Sequence, residues 1–517
     1  MPVADNQTLF QWLKIHEAER PDAVAVVSRQ GSVSYGGLAA EVRCLAAGFA
    51  KAGIGEGDVI AAQLPNCREF VAAFLAASAR GAVFQTLHMP YRSKELTDLL
   101  AHSKAKTVIA LANFKGMSPA AEILELKANL PNLETVITVG GEVDGALTYN
   151  EVANATPDQT LVVETTPESP YLLLYTSGTT ANPKGVPHNY RGFLSNALSS
   201  ANELGLDDGS RILSLAACTH LYGLFTIHLA LATGSTIAML PAFDPATLKD
   251  DLAALEPTAI FAAPAHFAPF IAQGALTPDN FAAVELVCLS GTTVPPNLAK
   301  AIDALLTEGS VIQLWGMSEL QAGSFCRPDD PLEKRVSTAG RASLRTQLRV
   351  VNEAGDKLSA GEEGRLEANG PSVFGGYLDN PEETKKSFTV DGWFQTGDLA
   401  VIDADGYLIL TGRTKEIINR GGVKYNPIEV EQIVLRHDAI ASCAIVPVPD
   451  EVLGERACLC VQTTGDQGVE LDEITALLED SGVAKYKWPE RLEIFEALPL
   501  TPTQKIMRGR LAQILKS

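Results

Sequence analysis

The sequence predicts an α/β protein with a large N-terminal domain of α/β subdomains and a small α+β C-terminal domain. Helix-like stretches alternate with short apolar runs from about residue 32 to 139 and again from 211 to 289, which is typical of parallel strands joined by crossover helices. After about residue 345, short strands and glycine-containing turns replace this alternation, so the distal part of the large domain is expected to be β-rich. A chain of 517 residues has room for roughly two to four domains.

The individual elements follow from the local periodicity of apolar residues. An amphipathic period predicts helices over 35–50 and 69–79, with a strand at 59–64 between them. Short apolar runs predict further buried strands. Those strands lie at 107–111, 135–139, 211–215, 236–240, 258–262 and 284–289.

The distal part of the chain shows a hairpin and then a second domain. Apolar runs at 399–402 and 407–410 flank the polar turn 403–406, which predicts two antiparallel strands. A polar, glycine-bearing stretch follows, and about 90 residues from 427 onward have a compact βαβ-rich pattern. These changes predict domains at 1–412 and 413–517.

Composition and charge exclude several classes of protein. The chain has 62 acidic and 41 basic residues, a net charge of −21, so its field repels phosphate backbones and no nucleic-acid partner is expected. Hydrophobic residues make up 46% and charged residues 20%, as in ordinary globular proteins. The most apolar stretch, 226–240, is too short to span a bilayer. With no signal-peptide pattern at the N-terminus, we expect a cytoplasmic protein without a membrane span.

The eight cysteines are scattered and mostly lie in apolar stretches, so they are expected to be reduced core thiols. Cys458 and Cys460 are the closest pair in the sequence. Alternate positions on a strand explain their spacing better than a metal site, since paired zinc ligands usually have two to four intervening residues.

The strongest chemical signal is a loop that follows the apolar run 171–175. Small residues let backbone N–H groups approach an anion, hydroxyls donate to its oxygens, and a lysine adds positive charge, which together suit a polyphosphate. The order of glycine and lysine differs from a Walker A loop. A plain surface loop is the alternative interpretation. The predicted phosphate-binding residues are Thr176, Ser177, Gly178, Thr179, Thr180 and Lys184.

The string from Thr176 to Gly185 closely resembles the signature loop of adenylate-forming enzymes, and other motifs of that superfamily follow in order over most of the chain. The superfamily includes acyl-CoA synthetases, aryl-acid ligases, adenylation domains of peptide synthetases and luciferases. The resemblance implies that ATP, Mg²⁺ and CoA are the cofactors. It also implies a C-terminal domain that rotates between two half-reactions.

The segment 314–319 is similar to the superfamily's Tyr-Gly-Met-Thr-Glu motif. By resemblance, Trp315 lies against adenine, Ser318 contacts the α-phosphate and Glu319 holds Mg²⁺. A carboxylate is a suitable ligand for this hard cation. The resemblance also assigns to the nucleotide site Gly316, Met317, Gly291 and Thr292, the last of which replaces a usual glycine.

Three further motifs complete the resemblance. Asp398 and Arg413 match the residues that bind the ribose hydroxyls. Lys415 matches the hinge, and Gly421 matches the glycine beside which the pantetheine arm passes. Lys505 takes the position of the catalytic lysine, which would bridge the carboxylate and the α-phosphate. With Glu319, Thr176 and Lys184, Lys505 forms the predicted catalytic set.

Two positions depart from the superfamily pattern. Ala181 replaces the usual glycine of the phosphate loop, and Gln504 replaces the usual glycine before the lysine. Each substitution is expected to stiffen its loop and lower a rate, while neither removes a reacting group.

The acid pocket is predicted from the segment 219–225, which resembles the superfamily's Phe-His-x-x-Gly stretch, and from 264–267. No aspartate stands at His220, which argues against an α-amino acid, and Leu221 cannot hydrogen-bond a ring hydroxyl, which disfavours a hydroxybenzoate. An apolar acid remains: aromatic, alicyclic or of short to medium chain length. The predicted acid-binding residues are His220, Leu221, His266, Phe267 and Gly316. For His220 and Phe267 ordinary packing is the alternative.

CoA is the expected acceptor of the acyl group, because no phosphopantetheine serine motif follows Lys505. A carrier protein that acts in trans is the alternative within the same chemistry, and a homodimer is possible. A nucleotide-binding sensor without turnover and a luciferase-type oxygenase remain as other classes of function. Oxygen uptake or light emission would reveal the oxygenase.

Overall fold

The structure is a computed structural model, and it describes residues 4–176, 184–414, 416–420, 423–450, 454–464, 468–501 and 506–515. Sheets alternate with helices through most of the chain, and the β-rich part and the small C-terminal domain follow in the predicted order. The predicted fold class is confirmed. Among the described residues, no helix combines the length and the apolar character that crossing a membrane requires.

The N-terminal segment supplies a largely parallel first sheet, with strand order β7-β6-β5-β3-β4-β8-β9. Only β9 runs antiparallel to its neighbour in this order. In chain order its elements and those around it are α1 (Leu9–Glu19), β1 (Val24–Ser28), β2 (Gly31–Ser34), α2 (Tyr35–Lys51), β3 (Val59–Gln63), α3 (Arg68–Ala79), β4 (Val83–Thr86), α4 (Ser93–Ser103), β5 (Thr107–Leu111), α5 (Pro119–Leu126), β6 (Thr135–Val139), β7 (Leu147–Thr148), α6 (Tyr149–Ala153), β8 (Pro170–Thr176) and β9 (Lys184–Asn189).

The second sheet has the order β16-β15-β14-β13-β12-β10-β11-β1-β2, so the N-terminal β1 and β2 complete a sheet built mainly from later residues. Its central strands are parallel, as the alternation of strand and helix predicts. The added elements are α7 (Tyr190–Glu203), β10 (Arg211–Ser214), α8 (Leu221–Thr233), β11 (Thr236–Ala238), α9 (Leu248–Leu255), β12 (Ala259–Ala262), α10 (Pro264–Ala272), β13 (Leu286–Leu289), α11 (Pro296–Asp303), β14 (Ser310–Met317), β15 (Gln321–Phe325), α12 (Leu332–Ser337) and β16 (Arg341–Ala342).

Two smaller sheets follow. The third is antiparallel, with order β17-β18-β19-β20, and the fourth has order β22-β21-β24-β23 with β25 beside β24. Their elements are β17 (Gln347–Val351), β18 (Gly364–Asn369), α13 (Pro381–Ser387), β19 (Phe394–Ile402), β20 (Leu408–Arg413), β21 (Ile418–Arg420), β22 (Val423–Tyr425), α14 (Pro427–Val434), β23 (Ile440–Asp450), β24 (Gly454–Thr463), α15 (Leu471–Asp480), β25 (Arg491–Ile494) and α16 (Arg508–Ile514).

One continuous apolar core joins the first two sheets and brings their edges together. It contains Phe84 and Leu172 from the first sheet and Ile212 and Phe261 from the second, with the apolar faces of the intervening helices between them. Burial of this area is the main favourable term in holding the sheets in register. The C-terminal domain has its own core around Ile418, Leu459 and other apolar residues, consistent with a separate folding unit.

The predicted boundary at residue 412 falls within β20. Arg413 still pairs with Asp398 across β19 and β20, so this residue belongs to the third sheet. The division into 1–412 and 413–517 stays a prediction.

Candidate active site

Many of the predicted site residues lie at or after the carboxyl ends of parallel strands. Trp315 stands near the end of β14, and Thr176 closes β8. Parallel strands end at one edge of a sheet, and open α/β folds bind ligands in the crevice at that edge. Six more lie in the connections after β10, β12 and β13, and they are His220, Leu221, His266, Phe267, Gly291 and Thr292. Asp398 and Arg413 instead lie on the antiparallel strands β19 and β20.

Trp315, Asp398 and Arg413 form one hydrogen-bonded group. The Trp315 indole N–H donates to one oxygen of the Asp398 carboxylate at 2.9 Å, and the Arg413 guanidinium donates to the other at 2.9 Å. Asp398 stands opposite Arg413 in the β19–β20 register, so backbone pairing fixes their separation. The carboxylate beside Arg413 raises the pKa of the guanidinium. The structure therefore places the two predicted ribose ligands side by side and next to the predicted adenine contact.

A glycine that sequence reasoning missed makes room for the Trp315 ring. A Cβ atom added to Gly323 would lie 2.3 Å from that ring, well inside van der Waals contact. Gly316 is constrained in the same way, because a Cβ there would lie 2.0 Å from the carbonyl oxygen of Gln321. Both glycines thus allow β14 and β15 to approach closely.

Glu319 lies in the short loop between β14 and β15 and is only 5% exposed. The Tyr377 hydroxyl donates to its Oε1 at 3.0 Å, and the Phe374 N–H donates to its backbone carbonyl at 2.7 Å. Burial raises the pKa of this carboxyl, while the Tyr377 hydroxyl and the positive charges of Arg413 and Lys184 act in the opposite direction. Glu319 is thus a fixed, poorly solvated carboxylate with two cations nearby.

Lys184 begins β9, on the far side of the predicted phosphate loop. Its ammonium forms an ion pair with Glu383 and lies 5.0 Å from the centre of the Tyr377 ring. Thr176 stands opposite Lys184 in the strand register, so the two ends of that loop are adjacent. Tyr377 and Glu383 were missed by sequence reasoning, although the aromatic residue directly after two glycines at 375–376 was a usable signal.

Several predicted residues fall outside the described part of the chain. They are Ser177, Gly178, Thr179, Thr180, Lys415, Gly421 and Lys505, with Ala181 and Gln504 beside them. Their roles stay predictions. Met317 and Ser318 are described, and they lie at the end of β14 and in the loop that carries Glu319.

His220 caps the N-terminus of α8 and accepts a hydrogen bond at Nδ1 from the Tyr222 N–H at 3.2 Å. Its ring lies roughly parallel to that of His88, with centroids 6.2 Å apart. His88 was missed by sequence reasoning; its Nδ1 is 3.0 Å from the hydroxyl of Thr219, and burial lowers its pKa to about 4. Leu221, which is buried, begins the helix directly after His220.

His266 and Phe267 have different surroundings. His266 accepts at Nδ1 from the Ala263 N–H at 3.0 Å, its ring lies 4.6 Å from that of Phe243, and burial lowers its pKa to about 4. Phe267 is fully buried in the core of the second sheet, where its ring packs beside Phe281. Core packing accounts for the position of Phe267, so we leave it out of the acid pocket proposed below.

The donor set suits Mg²⁺ held jointly with phosphates. The described part of the chain contains no group of three or more His, Cys, Asp or Glu side chains that could hold a metal ion by themselves. Mg²⁺ at a nucleotide site usually takes one or two protein carboxylates together with substrate phosphates. Glu319, a buried carboxylate whose Oε1 accepts a hydrogen bond from the neutral Tyr377 hydroxyl, fits that requirement.

A family model described as "AMP-binding enzyme" matches residues 13–378, which is most of the chain. The chain belongs to the AMP-binding enzyme family. The model of that enzyme's C-terminal domain matches residues 429–505. The resemblance to adenylate-forming enzymes and the prediction of an acid–CoA ligase are therefore confirmed at the level of the family.

Two CoA ligases and one solved structure resemble the chain over almost its whole length. The medium-chain fatty-acid–CoA ligase of Escherichia coli strain K12 is 31% identical over 493 residues, 94% of this chain and 87% of its own length. The sulfoacetate–CoA ligase of Cupriavidus necator is 30% identical over 511 residues, 98% of this chain and 97% of its own. The ATP-bound MatB structure from Rhodopseudomonas palustris superimposes with a TM-score of 0.89 at 25% identity, covering 99% of each chain.

Proposed function

We propose that this protein joins a carboxylic acid to CoA and converts ATP to AMP and pyrophosphate. The observation that carries the proposal is the convergence of Glu319, Lys184 and the Asp398–Arg413 pair at the strand ends. Tyr377 contacts both Glu319 and Lys184, so a buried carboxylate and a positive charge lie close together. This arrangement supports the binding of a polyphosphate with its metal ion. Membership of the AMP-binding enzyme family and CoA ligases among the relatives support the same reaction.

The first half-reaction forms an acyl-adenylate. A carboxylate is a poor acylating agent, because the leaving group would be O²⁻ or HO⁻. Attack of its oxygen on the α-phosphorus of ATP forms an O–P bond and expels pyrophosphate, which leaves AMP as a good leaving group. Catalysis here consists mainly of positioning and charge stabilisation rather than acid–base chemistry.

We assign a role in adenylate formation to each of the main site residues. Trp315 contacts adenine, and the Asp398 carboxylate with Arg413 holds the ribose hydroxyls. Glu319 would hold Mg²⁺, which when bound neutralises charge on the phosphate oxygens. Lys184, across the strand pair from Thr176, adds positive charge beside the phosphate loop. Lys505 is proposed to bridge the carboxylate and the α-phosphate, as the family resemblance implies.

In the second half-reaction, a thiolate attacks the acyl carbon, forms the C–S bond and expels AMP. Gly421 is proposed to let the pantetheine arm pass close to the backbone after the C-terminal domain rotates. CoA is the proposed thiol, since the relatives named above are CoA ligases. A carrier protein is the second candidate, distinguished by the CoA dependence described below.

The acid is proposed to be apolar. The relatives do not select the substrate, because their names cover both a fatty acid and a sulfonated acid. The side chain of Leu221, buried at the start of α8, offers no hydrogen bond. Two residues later, Gly223 has no space for a side chain because a Cβ would lie 2.3 Å from the Ala217 carbonyl oxygen. His220, directly before Leu221, provides a polar group at the same helix end.

The test is pyrophosphate release with Mg²⁺ and ATP over a panel of acids, with and without CoA. The panel contains acetate to decanoate, benzoate, cyclohexanecarboxylate, salicylate, sulfoacetate and several amino acids. We expect release that CoA stimulates for one apolar class, and none from Glu319→Gln with the same acid. Release that CoA does not accelerate would transfer the acceptor role to a carrier protein, and preference for sulfoacetate or an amino acid would overturn the apolar pocket.

A further inference from the structure

The loop that carries Glu319 is anchored at both ends by buried histidines that the proposed mechanism does not use. β14 ends at Met317, β15 begins at Gln321, and these two residues pair across the hairpin. His188 contacts Ser318, the first residue of the loop. His228 contacts Gln321, the residue that directly follows the loop. Both imidazoles are buried among the described residues.

His188 lies on β9 and holds the start of the loop. Its Nε2 is 2.6 Å from the backbone carbonyl oxygen of Ser318. A carbonyl can only accept, so Nε2 carries the proton and donates. The ring stacks on Phe193 with centroids 3.7 Å apart, which fixes its orientation. Ser318 and its neighbour Glu319 are therefore tied to the strand that begins at Lys184.

His228 lies on α8 and holds the end of the loop. The Gln321 side-chain amide donates to its Nδ1 at 3.3 Å, so Nε2 carries the proton and donates to the Tyr171 hydroxyl oxygen at 3.0 Å. Gln321 has φ of +66°, a left-handed conformation that costs free energy in a residue other than glycine. The hydrogen bond to His228 holds the side chain of this strained residue.

The contacts of both histidines involve the paired strands β8 and β9. Tyr171 lies on β8 and His188 on β9, and Leu172, next to Tyr171, pairs with His188. The same strands end at Thr176 and Lys184 on either side of the predicted phosphate loop. The two histidines thus connect the phosphate-loop hairpin of the first sheet to the Glu319 hairpin of the second.

We propose that His188 and His228 are positioning residues that fix the Glu319 loop relative to Thr176 and Lys184 at the end of the β8–β9 strand pair. The proposal depends on the adenylation reaction proposed above. Removal of either imidazole leaves a buried partner without its hydrogen bond and lets the Glu319 loop shift. A misplacement of about 1 Å can reduce a rate by roughly 10²-fold. Adenylation should therefore suffer, whereas the chemistry of thioester formation has no step that uses the phosphate loop.

His16 offers a matched control. It is also buried, and its Nε2 donates to the backbone carbonyl of Leu231 at 2.7 Å, the same kind of bond that His188 makes to Ser318. It lies on α1, and its partner Leu231 stands near the C-terminal end of α8, ten residues after Leu221. A His16→Leu variant therefore measures what the loss of such a bond does to stability alone.

The experiment compares His188→Leu, His228→Leu and His16→Leu in the full chain. Readouts are the melting temperature, the ATP Kd from calorimetry, and kcat and KM for acid-dependent ATP–pyrophosphate exchange. We expect all three variants to melt earlier. Only the variants at 188 and 228 should bind ATP more weakly and lose roughly tenfold to hundredfold in the kcat for exchange. His188→Gln, whose amide can donate to the same carbonyl, should recover most of that loss.

Equal exchange kinetics in all three leucine variants would overturn the proposal, as would a failure of His188→Gln to exceed His188→Leu. If a leucine variant is insoluble, the methionine variants at 188, 228 and 16, whose side chains also cannot donate a hydrogen bond, decide by the same comparison. A wild-type protein without acid-dependent exchange would contradict the proposed function itself, a result distinct from any difference among the variants.

Discussion

The Tyr377 hydroxyl favours the ionised form of Glu319 against the effect of burial, and Tyr377→Phe tests this directly. The substitution removes one hydroxyl and keeps the ring over which the Lys184 ammonium lies. That hydroxyl donates to the buried carboxylate at 3.0 Å and lowers a pKa that burial has raised. Without the hydroxyl, Glu319 binds its proton more tightly, so a larger fraction of the enzyme is protonated at this position at a given pH.

The size of the effect follows from the type of bond. A hydrogen bond to a charged group is worth about 1.5–3 kcal/mol, and one pKa unit corresponds to about 1.4 kcal/mol. The substitution should therefore raise the pKa of Glu319 and lower kcat/KM for ATP at acidic pH by roughly tenfold or more. The acidic limb of the pH profile should move to higher pH, and the rate should approach that of the wild type at alkaline pH.

The assay is kcat/KM for ATP in pyrophosphate exchange as a function of pH, because this ratio reports groups of the free enzyme. Tyr407→Phe is the matched control, since the Tyr407 hydroxyl donates to the buried Asp330 carboxylate at 2.7 Å outside the proposed site. Tyr407→Phe should leave the acidic limb of the kcat/KM profile at the same pH as in the wild type. An acidic limb at the same pH in Tyr377→Phe and the wild type would refute the role assigned to the hydroxyl.

Three further outcomes are expected. Gly316→Ala should abolish exchange and lower the melting temperature, because its Cβ would meet the Gln321 carbonyl at 2.0 Å; normal exchange would contradict the close approach of β14 and β15. Asp398→Asn removes the charge that pairs with Arg413 and should raise the ATP KM by about tenfold or more with a smaller change in kcat, as steady-state kinetics would measure. In urea unfolding, the free energy of unfolding should fall by about 2 kcal/mol per buried histidine between about pH 7 and about pH 5. The reason is that folded-state pKa values below the unfolded value of 6.5 make the unfolded chain bind more protons in that window. A free energy of unfolding that does not change with pH would contradict these lowered pKa values. The histidines concerned are His88, His188, His228 and His266, with pKa values of about 4, 3, 3 and 4.

Local pattern predicted the strands and helices well. The strands at 107–111 and 135–139 have the predicted bounds, and the helix expected at 35–50 extends one residue further in α2. Apolar runs of this kind fill both faces of a parallel strand, so their limits coincide with the limits of burial. The phosphate loop lies outside the described residues, and the structure leaves its predicted roles as they were.

Contacts between distant parts of the chain could not be predicted in this way. Lys184 pairs with Glu383, 199 residues later, and Tyr377 reaches Glu319, 58 residues earlier. Neither pair has a periodic signal, because each depends on how the third sheet packs against the crevice. Phe267, predicted to line the acid pocket with ordinary packing as the alternative, is buried in the core of the second sheet. A sequence places a residue near a strand end, but packing decides which way its side chain faces.

The fate of the carboxylate oxygen tests the central claim most directly. The acid that gives the strongest pyrophosphate release would be labelled with ¹⁸O in its carboxylate and incubated with ATP, Mg²⁺ and CoA, and the nucleotide and phosphate products would be examined by mass spectrometry. Attack on the α-phosphorus predicts one ¹⁸O atom in AMP and none in pyrophosphate. Label in inorganic phosphate, together with ADP as the nucleotide product, would contradict an adenylate intermediate.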